Sequence, residues 1–519
     1  MTKILIKNGT VIDGLSKHAY KSDVVVDKGR ILEIAASING KNFDTVIDAA
    51  GQFVTPGFID IQNHSDSYWT LFDQPDQRSL ISQGITTIVV GNCGSSVAPL
   101  PTKEAIKTIQ KWHNLDGINV NWTSFAEFCS VLKQSKLGVN VAGLVGHATL
   151  RRGLLGDQVR KVTPDEQKIM TNLLREALDQ GAMGLSLGLV YAHEVNSTME
   201  ELSGLAKHLK SQNKYLSVHL RSEDTGLLES IDEVLEIGEQ CDIPVKISHL
   251  KVRGQTNWHL FDRMMNKLEN AFHQGLNVSF DVYPYSTSWS ILYTYLPKWA
   301  YEGGRSEILR RINSPEDRRK ILDYLRNQNH DYLNITIATA EGNEALVGRL
   351  ISHVAVNQGV TNEEALLNIL SACNTQAIVF DRNLSEEHIE LLLTSPLSII
   401  ASDGAGYSKE SPDLVHPRCF GTMPRFLSMV KKMNILKWEQ AIKKITYEPA
   451  RLLGLQNRGV LTQNANADIV VFDPNKIVDM ADYTQPYQFA DGITHVLVNG
   501  EIAYSNKSFK DLNGQVITR

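Results

Sequence analysis

Five side chains able to hold a divalent metal ion, His64, Cys93, His219, His249 and Asp403, each fall at or just past the C-terminal end of a separate apolar, strand-like run. The runs are FVTPGFIDI, ITTIVVGN, YLSVHLR, PVKISHL and LSIIASDG. A single histidine or cysteine at a strand end is ordinarily packed or hydrogen-bonded. Five at equivalent ends point instead to one shared site. A thiolate, two imidazoles and a carboxylate suit Zn2+, which is borderline-soft and takes nitrogen and sulfur ligands. His147 ends a further run, VNVAGLVGH, and is read as either structural or a hydrogen-bonding support of the site.

For these residues to meet, their strands must run parallel with their C-terminal ends on one face. The middle of the chain has that rhythm. Adding VNVAGLVGH, MGLSLGLVY and LNVSFDVYPY gives eight candidate strands, alternating with helical patterns. That grammar predicts an α/β fold, a (β/α)8 TIM-type barrel over residues 55–454 with its active site at the strand C-termini. The best-marked helix starts at Thr163, where T-x-x-E with Pro164 forms a capping box, and stops at Gly181. Its expected apolar face is Ile169, Leu173, Leu174, Ala177 and Leu178. Between the seventh and eighth strands, residues 286–341 carry aromatic runs, a basic helix from Arg310 to Arg326 and a strand-like NITIATA. This stretch reads as a lid-like insertion. Residues 1–54 and 455–519 share short alternating strands broken by Asn-Gly and similar turns. They are expected to close together as a small β-sandwich domain, with the barrel inserted between them.

The 519 residues suffice for that architecture; hydrophobic residues make up 42% and charged residues 21%. A net charge of −6, without basic clusters, argues against a nucleic-acid surface. No run of about 18 apolar residues suggests a membrane span, and the start MTKILIKNGTVIDG lacks a secretory pattern. Five scattered cysteines without a CxxC pair fit reduced thiols in the cytoplasm.

The motifs TPGFIDIQNHSD, GITTIVVGNCG, GLVGHATLR, GLSLGLVY, HLRSE, ISHLK, DVYPYS, ASDG, HPRCFGTMPR, TYEPARLLGL and ADIVVFD occur in that order. In order and spacing they resemble D-aminoacylases, the N-acyl-D-amino-acid deacylases of the amidohydrolase superfamily. The resemblance implies the same barrel with a small β-domain, and hydrolysis of the amide of a small-molecule N-acyl-D-amino acid. It further implies that Cys93, His219 and His249 hold a tightly bound zinc, that Asp403 is the catalytic acid–base, and that Tyr191 polarises the scissile carbonyl. Lys251, Tyr283, Ser288 and Arg418 resemble the groups that hold the substrate α-carboxylate.

One departure stands out. The family's first strand ends in His-x-His, whereas this chain reads Gln62-Asn63-His64. Residues two apart on a strand face the same way, so Gln62 takes the first histidine's place. A neutral amide is a poor zinc ligand beside imidazole. A second metal site that includes His64 is therefore expected to be weak or empty, and the enzyme mononuclear. Two other readings remain. A cyclic amidohydrolase of the dihydroorotase or hydantoinase sort would ordinarily keep His-x-His and a bridging lysine. A degenerate barrel that binds an acylated ligand without hydrolysis would not need a general base.

Overall fold

The computed structural model describes residues 2–328, 330–510 and 512–519. It opens with β1 (Ile4–Val11), antiparallel to β2 (Tyr20–Asp27), which pairs in turn with β3 (Arg30–Ala35). Lys28 and Gly29 both have positive φ between β2 and β3, the backbone that a tight hairpin requires. β4 (Thr45–Asp48) and β5 (Phe53–Pro56) lie parallel to β1.

The chain then enters a series of short parallel strands. β6 (Phe58–Asp60), β7 (Ile85–Val90) and β8 (Asn140–Gly143) pair in that order. One residue later begins β9 (Val145–Gly146), followed by β10 (Gly184–Gly188), β11 (Tyr215–His219), β12 (Val245–Ile247) and β13 (Val278–Val282), each parallel to the next. Every residue of these strands is buried, as expected when a parallel sheet is covered on both faces. Helices connect most of them. In Pro164–Asp179 the Thr163 hydroxyl accepts from Glu166 N–H while the Glu166 carboxylate accepts from Thr163 N–H, the expected capping box. Met170, Leu174, Ala177 and Leu178 are its buried face. Ile169, expected there, is 47% exposed. A helix advances about 100° per residue, and Met170 rather than Ile169 lines up with Leu174, Ala177 and Leu178.

An antiparallel sheet of β14 (Ser288–Ile291), β15 (Ile335–Ala340) and β16 (Ala377–Asp381) follows β13, in the order β14-β16-β15. It has its own apolar core, including Ile291, Ile308, Ile337 and Val379. The basic helix expected over Arg310 to Arg326 is two helices, Gly304–Asn313 and Pro315–Arg326. Pro315 supplies no N–H and disfavours helical backbone at Ser314, so the chain breaks there. β17 (Ser398–Ile400) then returns to pair parallel with β13. Backbone bonds from Asp403 N to Gln62 O (2.9 Å) and from His64 N to Gly404 O (2.8 Å) set the segment after β17 beside the one after β6.

β18 (Ile469–Phe472), β19 (Ile493–Val498), β20 (Glu501–Ser505) and β21 (Ser508–Phe509) complete the chain. β18 pairs antiparallel with β5, whose other neighbour is β1. Both chain ends thus enter one nine-stranded sheet. Strands from both chain ends join one ladder through β5, which is hydrogen-bonded to β1 on one side and β18 on the other.

Candidate metal centre

Each of the five metal-competent side chains stands at the C-terminal end of a parallel strand. His64 follows β6, Cys93 follows β7, His219 ends β11, His249 follows β12 and Asp403 follows β17. Cys93, His249 and Asp403 adopt φ of 53°, 37° and 49°. Non-glycine residues held in sparsely populated backbone regions cost of order 1–3 kcal/mol each and persist where surrounding contacts over-determine them. At His249 the determinant is explicit: its N–H donates to Asp281 Oδ1 at 2.7 Å. At Asp403 it is the backbone bond to Gln62.

Ligand atoms of Cys93, His219 and His249 lie within 4.8 Å of one another. Cys93 Sγ is 3.5 Å from His249 Nε2, and the His219 and His249 rings meet edge to face at 4.3 Å. A tetrahedral zinc with bonds of about 2.3 Å to sulfur and 2.0–2.1 Å to nitrogen would separate S from N by roughly 3.5 Å. The donor set therefore fits the ion. Among the described residues His219 Nδ1 is also buried without a hydrogen-bond partner, a state that native interiors seldom leave unexplained. Burial, with His249 nearby, holds the His219 imidazole well below its usual pKa, so it is the neutral form that can ligate. Burial pushes the Cys93 thiol well up; a bound cation is what would displace its proton.

A second donor group, His64, Cys93 and Asp403, is equally close. His64 Nε2 lies 3.0 Å from Asp403 Oδ1 and 3.9 Å from Cys93 Sγ. Gln62 enters this corner with its amide nitrogen, which donates to Cys93 Sγ at 3.1 Å. Burial pushes the Asp403 carboxyl up, but Arg418, His249 and His64 outweigh it and hold the group well below the usual carboxylate range.

The other sequence-predicted residues line the same cavity. Tyr191 packs against His219 at 5.1 Å between ring centroids, and burial holds its hydroxyl protonated far above neutral pH. Arg418 Nη2 pairs with Asp403 Oδ2 at 2.8 Å. Among the described residues Arg418 Nε and Nη1 are buried with no partner, and the guanidinium lies 4.6 Å from the Tyr283 ring centroid. Lys251 is more engaged than a free carboxylate anchor would be. Its Nζ bonds Glu223 Oε1 at 2.6 Å, His249 Nδ1 at 2.7 Å and His249 O at 2.8 Å. Ser288 Oγ is directed to Asp381 O and Asn383 Oδ1.

His147 lies outside the metal centre. It is fully buried between Glu194 Oε1 (2.8 Å) and Glu201 Oε1 (2.9 Å). Glu194 also accepts from the N–H of Gly188, so the cluster props the end of β10. Sequence reasoning missed several groups. Glu223 ties Lys251 to His249, which it contacts at 3.1 Å; it sits inside the HLRSE motif, its available signal. Asp281 and Lys246, an ion pair beneath the site, are interior-facing charges on β13 and β12, and charge within otherwise apolar strands was their signal. Lys111 lies 4.4 Å over the Tyr191 ring, and burial lowers it to about 7. It falls in an irregular segment with no pattern to mark it.

Parallel strands whose C-terminal ends gather a thiol, imidazoles and a carboxylate present a donor set suited to a metal-dependent hydrolase. A family profile described as Amidohydrolase family matches residues 45–268, and a second of the same description matches 352–503. D-aminoacylase from Alcaligenes xylosoxydans xylosoxydans is 31% identical over 518 residues, covering 99% of this chain and 97% of that protein. The crystal structure of N-acyl-D-glutamate deacylase from Bordetella bronchiseptica, complexed with zinc and a phosphonate mimic of the tetrahedral intermediate, is 30% identical. It covers all of both chains with a TM-score of 0.85. A D-aminoacylase structure addressing its binuclear metal centre, one-metal activation and second-metal attenuation, is 28% identical at TM-score 0.84, again over both whole chains. The chain belongs to the D-aminoacylase family of N-acyl-D-amino-acid deacylases within the amidohydrolases.

Proposed function

We propose that this protein hydrolyses the amide bond of N-acyl-D-amino acids at a single zinc ion held by Cys93, His219 and His249. The observation that carries this reading is the 3.5 Å approach of Cys93 Sγ to His249 Nε2 beside His219, with Asp403 poised at the same rim. The supporting architecture is a closed (β/α)8 barrel over 55–454, with residues 1–54 and 455–519 as the β-domain. The ladders from β6 to β8 and from β9 to β17, and the Asn63–Gly404 bridge, favour closure. The β14-β16-β15 sheet with its helices is the lid-like insertion, extended from 286–341 as far as Asp381. Among the described residues, no helix is long and apolar enough to cross a membrane. All five cysteines are free, and a reducing cytoplasm is the setting we assign.

A zinc ion in this site supplies Lewis acidity to the scissile carbonyl. Asp403, held deprotonated by its cationic neighbours, takes the proton of the attacking water and delivers it to the leaving amine nitrogen. Tyr191 keeps its proton and donates a hydrogen bond to the developing oxyanion, a role worth a few kcal/mol. Arg418 offers its unpartnered Nε and Nη1 to the substrate α-carboxylate. Tyr283 stacks beneath that guanidinium. Lys251 adds positive charge while steering His249, and Ser288 shapes the rim. The substrate is a small molecule; the D preference comes from the family. A panel of N-acetyl-D- and N-acetyl-L-amino acids, run with measured zinc occupancy, tests the proposal. Turnover of D substrates by the zinc-loaded protein is expected, and a zinc-replete protein that hydrolyses none of them would end it.

A further inference from the structure

Gln62 stands where the first histidine of a His-x-His pair would project, and its surroundings dictate which end of its amide meets the metal centre. Lys246, on β12 and fully buried, is a donor only. It bonds Gln62 Oε1 at 2.6 Å and forms an ion pair with Asp281. Ser248 Oγ donates to the same Gln62 oxygen at 3.2 Å. With Oε1 occupied, the amide presents its NH2 to the site, where Nε2 lies 3.1 Å from Cys93 Sγ. The corner enclosed by His64, Cys93 and Asp403 is therefore walled by an N–H donor with an ammonium behind it. A donor aimed into a corner, with a positive charge behind it, repels a cation.

We propose that the Lys246–Gln62 pair is a built-in substitute for a second metal ion. It directs positive charge through the amide onto Cys93 and keeps the His64–Cys93–Asp403 corner free of metal. This rests on the reading that Cys93, His219 and His249 hold one zinc. Lys246 is a positioning residue here, acting through Gln62. Asp281 links the device to the primary site, since its second oxygen accepts the His249 N–H. Changing Gln62 alone would leave the buried Lys246 ammonium facing the corner, where its charge opposes a second cation.

The test is zinc stoichiometry by elemental analysis after equilibrium dialysis of the full chain against excess zinc. Native protein, Gln62→His, and Gln62→His combined with Lys246→Met are compared. One zinc per chain is expected for the native protein and for Gln62→His, and two for the double variant. A second zinc in the native protein or in Gln62→His overturns the proposal, as does a folded double variant that stops at one. Should the double variant fail to fold because Asp281 is left unpaired, Gln62→His decides the matter alone, since it keeps that ion pair. A native protein holding no zinc would instead remove the functional reading underneath.

Discussion

Arg418 Nη2 lies 2.8 Å from Asp403 Oδ2, so the proposed acid–base and the proposed carboxylate anchor form one buried ion pair. The pair sets the charge state of Asp403 and leaves the rest of the guanidinium for substrate. Arg418→Lys keeps a positive charge but loses the planar fork. A charge-assisted hydrogen bond is worth about 1.5–3 kcal/mol, so kcat/KM should fall by roughly 10–100-fold, chiefly through KM. Steady-state kinetics checks this; an unchanged KM would detach Arg418 from the carboxylate.

Asp403→Asn removes the proton acceptor while leaving Cys93, His219 and His249 in place. Turnover is expected to fall by about 10²–10⁴-fold or more, the range associated with a positioned general base. Zinc content should stay unchanged. Full activity in this variant would assign the proton transfer elsewhere.

Cys93→Ala deletes the sulfur donor of the site, and metal analysis of the purified variant should find the zinc lost. A variant that retains one zinc per chain would overturn the ligand set.

Glu223→Gln loosens the contacts that hold Lys251 and His249. Burial pushes this carboxyl up, but Lys251, His219 and His249 hold it well below the usual range, so it is ionised in the native site. Groups that orient metal ligands typically contribute 10–100-fold to affinity. A loss of that size, read by chelator competition, is expected with the fold retained.

The His147 cluster gives stability a pH dependence. Burial alone would lower the imidazole, but Glu194 and Glu201 raise it from 6.5 to about 9. Burial raises Glu201, but His147 and Arg151 prevail and lower it. A raised histidine stabilises fully below the unfolded value of 6.5, and that stabilisation is lost as pH rises through about 9. The carboxylate's share is present above its unfolded value of 4.5 and lost as pH falls through its lowered folded value. The cluster's contribution to thermal stability, read as the difference between native and His147→Gln melts, should therefore be greatest between about pH 4.5 and 6.5 and decline toward 9. His147→Gln should flatten the alkaline decline and cost about 3–5 kcal/mol, the typical penalty for breaking a buried charge pair. A native-minus-variant difference independent of pH from 6.5 to 9 would contradict the assignment.

Strand order and the positions of the candidate ligands were legible in the chain because each candidate follows an apolar run, and strands buried on both faces leave a strong local signal. The Thr163 capping box and the Gln62 departure were equally local, set by residues two or three apart. The Gln62–Lys246–Asp281 relay, the grip of Glu223 on Lys251, and β16 as the central strand of the insertion were not. Nor was the single ladder formed by both chain ends. Each depends on atoms brought together from distant parts of the sequence, and whether a charge finds its partner there is decided by packing. Sequence by itself determined which residues could bind and which face of their strands they occupy. Tertiary structure alone decided which donors point at which acceptors, because a side chain's charge state and orientation are set by its neighbours in space.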